Sequence, residues 1–74
     1  MQTKPKITLS VLMPVYNERY LVAECINRVL NIQDNDLFKI ELIIVDDGST
    51  DGTREILRKI CELHPEIRYI EHEK

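Results

Sequence analysis

Ile40-Glu41-Leu42-Ile43-Ile44-Val45-Asp46-Asp47-Gly48-Ser49-Thr50-Asp51-Gly52-Thr53-Arg54-Glu55-Ile56-Leu57 carries the reading of the fold. An apolar stretch passes through three acids and two glycines and emerges in a helical pattern. In α/β folds, ligands bind at such junctions, outside the carboxyl ends of parallel strands. Two adjacent carboxylates at the end of a buried strand need a partner for their charge, because an unpaired buried charge is costly. The expected partner is a ligand, which makes the turn a candidate binding site.

Upstream, Ile7-Thr8-Leu9-Ser10-Val11-Leu12-Met13 reads as a first strand, ending at Pro14, which lacks a backbone donor. Asn17 is placed to cap the next segment, with Glu18 in its first turn. Within 18–32, Val22, Ile26, Val29 and Leu30 recur at helical spacing, with Glu24, Asn27, Arg28 and Asn31 between them. Gln33-Asp34-Asn35-Asp36 is a polar turn, and 38–45 a second strand. Its nearly continuous apolar run predicts a parallel strand covered on both faces.

Downstream, Asp51 or Ser49 is expected to cap a helix over 52–63 whose core stripe is Ile56, Leu57, Ile60 and Leu63. Glu55 with Lys59, and Arg58 with Glu62, lie four apart on its wet face. Pro65 ends that helix, and Ile67-Arg68-Tyr69-Ile70 is a short third strand. Gly48 and Gly52 are read as backbone devices in the turn. The order is one βαβαβ unit with right-handed crossovers, a Rossmann-like half-domain with a parallel sheet, taken as one partial domain over residues 1–74 that looks truncated after its third strand.

A chain of 74 residues buries only about 60% of the surface its unfolded form exposes, so its core is marginal. Hydrophobic content of 43% with 31% charged residues marks a globular chain, and a net charge of −3 with scattered bases excludes a general nucleic-acid surface. Cys25 and Cys61 show neither a C-x-x-C nor a metal-ligand spacing and are expected to be buried free thiols in a reducing compartment. No signal peptide is expected from the opening residues, and no apolar run of membrane-spanning length is found in these 74 residues. His64 and His72 read as surface residues, and no metal set is assigned.

Gly48 and Gly52 fit neither G-x-G-x-x-G nor the P-loop pattern, and a loop with three carboxylates would repel a bare phosphate. Asp47, Ser49, Asp51 and Gly52 follow calcium-loop spacing, but the twelfth position is Arg58 instead of a bidentate Glu. A receiver-like phosphotransfer module would place its acidic pair after the first strand, whereas this pair follows the second. The remaining reading joins two strand ends. Pro14-Val15-Tyr16-Asn17-Glu18 and Asp46-Asp47-Gly48-Ser49 would be neighbours at one edge of a parallel sheet and form a nucleoside pocket. Tyr16 offers a ring face or a hydroxyl, Glu18 accepts from ribose hydroxyls, and one Asp accepts from a base N–H.

These two motifs, with the strand and helix between them, closely resemble the N-terminal part of glycosyltransferase family 2, inverting enzymes of the GT-A fold that include polyprenyl-phosphate sugar transferases. The resemblance covers residues 7 to about 71. It implies a UDP- or GDP-linked sugar donor whose nucleoside lies against Pro14, Tyr16, Glu18 and one of Asp46 and Asp47, a role in cell wall or glycan biosynthesis, and an acceptor that is lipid-linked in some members. It also implies Mg²⁺ or Mn²⁺ held by an Asp-x-Asp motif downstream of the third strand, and a later catalytic base. Neither is expected here, since the strand is followed by Glu71-His72-Glu73. The whole enzyme would act in the cytoplasm, at the inner membrane face in lipid-linked members, while this chain would bind without catalysing transfer. The alternative is a non-catalytic nucleotide-binding or receiver-like module. In the family's sheet the first strand is interior. Here one side of it would be open, which predicts self-association.

Overall fold

The computed structural model describes residues 7–32 and 38–73. The polar turn read at Gln33-Asp34-Asn35-Asp36 lies outside them. The element order is β1 (Ile7–Val15), α1 (Val22–Asn31), β2 (Phe38–Asp47), α2 (Thr53–Leu63) and β3 (Arg68–His72). The three strands form one parallel sheet in the order β1-β2-β3, with Val15 opposite Asp46 and Asp47 opposite His72.

The core lies on one face of the sheet. Val15 of β1 and Ile40, Leu42 and Ile44 of β2 pack with Val22 and Ile26 of α1, Leu57 of α2 and Ile67. Alternate strand residues point to opposite faces. The other face accordingly carries Leu12 and Ile70, which are exposed, and Ile43 and Val45, which are partly exposed. The expectation that β2 is covered on both faces therefore fails among the described residues, because its continuous apolar run is buried at alternate positions only.

The first strand runs through Pro14 to Val15 instead of stopping at Met13. A missing donor is tolerated there because β1 is an edge. Helix α1 starts at Val22, not Glu18, and Leu21 at its N-cap makes no side-chain capping bond. Asn17 is therefore not the cap; the Glu18 carbonyl accepts from the amides of Leu21 and Val22 and forms the turn into the helix. For α2 the N-cap residue is Gly52 at φ 98°. Asp51, one residue earlier, accepts from the Thr53 amide at 3.1 Å and from the Thr53 hydroxyl, so it serves the helix start from outside the cap position.

Cys25 is exposed and Cys61 partly so, which corrects the expectation of two buried thiols; both are free. The thiol of Cys61 is pushed up by burial. Arg58 pairs with Glu71 across to β3 at 2.7 Å rather than with Glu62 along its own helix. No helix among the described residues is long and apolar enough to cross a membrane.

Candidate functional site

Parallel strands bring the turns after β1 and β2 to the same rim of the sheet, since Pro14 sits opposite Val45 and Val15 opposite Asp46. The two turns are then hydrogen-bonded to each other. The Asn17 amide donates to Ser49 Oγ at 2.9 Å, and Asn17 Oδ1 accepts from the Thr50 amide at 2.8 Å. A longer contact runs from the Arg19 amide to Asp51 Oδ2 at 3.4 Å. Gly48 at φ 80° and Gly52 at φ 98° take the left-handed conformations that let the second turn reverse, as expected of them.

The acidic pair divides between the interior and the surface. Asp46 is fully buried and Asp47 is exposed, because adjacent strand residues point to opposite faces. The charge of Asp46 is balanced from within the chain by Arg54. Its Oδ2 accepts from Arg54 Nε at 2.5 Å and from the Ser49 amide at 3.2 Å. Oδ1 is buried without a hydrogen-bond partner among the described residues. Burial pushes the Asp46 carboxyl up, but the Arg54 and Ser49 hydrogen bonds outweigh it and the net displacement is downward, so the group stays ionised.

Arg54 is the residue that the sequence reading overlooked. It occupies the first turn of α2, where the helix dipole disfavours a cation. Four acceptors offset that: Asp46 Oδ2, the His72 carbonyl, Glu73 at 3.3 Å and Glu71 at 3.8 Å. A basic residue in the first turn of a helix, eight positions after a buried acid, was the available signal. Glu71 also accepts both guanidinium bonds of Arg58 and the Tyr69 hydroxyl, which hold its carboxyl at about 2. Partly buried and facing that carboxylate, the Tyr69 hydroxyl is pushed well above its ordinary value.

Of the residues singled out from sequence, Pro14 and Glu18 share a groove of about 250 Å³ with Met13, Val15, Val22 and Cys25. Tyr16 and Asp47 are exposed on the same rim but do not line that groove, and neither does the buried Asp46. A second hollow, about 220 Å³, opens at the amino ends of the strands among Thr8, Lys39, Ile40, Glu41 and Glu66, away from both turns. Among the described residues no three His, Cys, Asp or Glu side chains gather closely enough to hold a metal ion. The rim can therefore offer an aromatic ring, an apolar groove wall and carboxylate acceptors to a neutral polar ligand.

A sequence model of glycosyl transferase family 2 matches residues 10–74. The chain is 37% identical to the glycosyltransferase AglE of Haloferax volcanii over 62 residues, 84% of this chain and 20% of that protein. It is 42% identical over 52 residues to the uncharacterized glycosyltransferase MG060 of Mycoplasma genitalium, 70% of this chain and 17% of that one. Identity to the undecaprenyl-phosphate 4-deoxy-4-formamido-L-arabinose transferase of Edwardsiella ictaluri is 39% over 54 residues, 73% of this chain and 17% of the relative. The chain thus spans a fifth or less of these relatives' length. No solved structure matches it.

Proposed function

Because the chain belongs to glycosyl transferase family 2, we propose that it is the N-terminal, donor-nucleotide-binding part of an enzyme that transfers a sugar from a nucleoside diphosphate to an acceptor. The observation that carries this reading is the joining of the two turns by Asn17, which puts the Tyr16 and Glu18 segment against the segment that bears Asp47. Pro14, Tyr16 and Glu18 receive the nucleoside, with the ring of Tyr16 as a flat surface and Glu18 as acceptor for ribose hydroxyls. Of the acidic pair, Asp47 meets the base N–H, since Asp46 is closed off and engaged by Arg54. Asp46 is the anchor that holds the turn's first residue in place. The same burial disfavours the receiver-like alternative, which needs an open acidic pair for a cation.

The whole protein would add what this stretch does not supply. A divalent cation there would neutralise the departing diphosphate, the charge stabilisation on which such transfers depend. The chain by itself is expected to bind and not to transfer. A lipid-linked acceptor is supported by the similarity to a transferase that acts on undecaprenyl phosphate.

The test is a titration of the ¹⁵N-labelled chain with UDP, GDP and UDP-sugars, with and without Mg²⁺. Amide shifts concentrated at Tyr16, Glu18 and Asp47 are expected, and Asp47→Asn should weaken binding about tenfold through loss of a charged acceptor. Shifts centred on the hollow at Thr8, Lys39 and Glu66 would overturn the reading.

A further inference from the structure

Asn17 is the one described residue other than glycine with a positive φ, at 51°. The left-handed region is costly for most side chains and open to Asn. In that conformation its backbone and side chain work in the same direction. The N–H reaches Ser49 Oγ, and Oδ1 takes the Thr50 N–H, across 32 and 33 positions of sequence. Ser49 is itself buried, and its own amide is held by Asp46, so the clamp is fastened to the fixed part of the second turn and not to a loose tip.

We propose that Asn17 is a positioning residue for the nucleoside site, setting the distance between Tyr16 and Glu18 on one turn and Asp47 on the other before any ligand arrives. The inference rests on the nucleotide-binding reading above and adds a residue to it. Tyr16 and Glu18 are the immediate neighbours of Asn17 on either side, so the clamp fixes the backbone from which both project. Asp47 lies two residues before Ser49, and the buried Asp46 precedes it. A rim assembled in advance spares the ligand the cost of ordering two turns, which is how preorganisation raises affinity.

Three variants separate this role from a merely structural one, each read by NMR titration with UDP and GDP in high salt, which screens any added charge. Asn17→Gly keeps access to positive φ and removes the acceptor. Asn17→Asp keeps both, and Ser49→Ala removes the other half of the clamp. The Thr50 amide resonance reports the bond directly. We expect Asn17→Gly to displace that resonance, and both it and Ser49→Ala to weaken binding about tenfold, with Asn17→Asp close to the unmodified chain on both counts. If Asn17→Gly fails to fold, the other two variants decide the matter by the same comparison. Unchanged affinity in Asn17→Gly or Ser49→Ala would overturn the proposal. So would weak binding in Asn17→Asp with its Thr50 amide in place. In either case the nucleotide reading stands, provided that Asp47→Asn still weakens binding. No binding of either nucleotide by the unmodified chain overturns both.

Discussion

At the scale of single residues, the decisive pair is Asp46 and Arg54. Removing one partner of a buried ion pair leaves an uncompensated charge, whereas leaving both in place costs little further. Arg54→Met should therefore lower the melting temperature by about 10 °C, while Arg58→Met on the exposed side of the same helix should change it far less. Thermal melting followed by circular dichroism checks this. The acid limb belongs to the same scale. Asp46 and Glu71 both have folded pKa values below their ordinary ones, Glu71 at about 2 against 4.5. A depressed carboxylate contributes stability that is complete above its unfolded value and disappears as pH falls toward the folded one. Stability should thus decline from about pH 4.5 toward 2, and Glu71→Gln should flatten that decline in urea melts taken at successive pH values.

At the scale of elements, each helix is held by very few fully buried side chains: Val22 and Ile26 in α1, Thr53 and Leu57 in α2. Leu57 is wholly inaccessible, so Leu57→Ala should cost about 2–5 kcal/mol. In a chain this small that is most of the available stability, and the far-ultraviolet signal of a folded state should be lost at room temperature. Leu63→Ala, at an exposed position of the same helix, should stay within about 0.5 kcal/mol in the same measurement. Periodicity made the elements legible, since Val22, Ile26, Ile56 and Leu57 repeat at helical spacing. Their ends were less so. Asn17 has the side chain of a cap, yet it bonds to a turn 32 residues away, and no local rule distinguishes the two uses.

At the scale of the molecule, the sheet has two unequal edges. The edge at β3 carries Arg68, Glu71 and His72, whereas Ile7-Thr8-Leu9-Ser10-Val11-Leu12-Met13 on β1 has no charge anywhere along it. Uncharged edges invite pairing with another chain. We propose that the isolated 74-residue chain associates through β1, with Ile7, Leu9 and Leu12 already exposed there. Sedimentation velocity should show a concentration-dependent increase in mass, and Leu12→Lys should shift the population toward monomer. A single monomeric species at high concentration would count against it.

The sequence by itself determined the βαβαβ order, the parallel sheet and the rim where the acidic turn lies, because periodicity and the placement of glycines are properties of neighbouring residues. It also pointed to Pro14, Tyr16, Glu18 and the acidic pair as one group. Only the tertiary structure decided that Asp46 turns inward to Arg54 while Asp47 faces solvent, and that Asn17 joins the two turns. The reason is that an ion pair or a hydrogen bond between distant segments depends on where folding brings them, and the same acid or amide side chain reads alike in sequence whether it meets a ligand, a helix end or another turn.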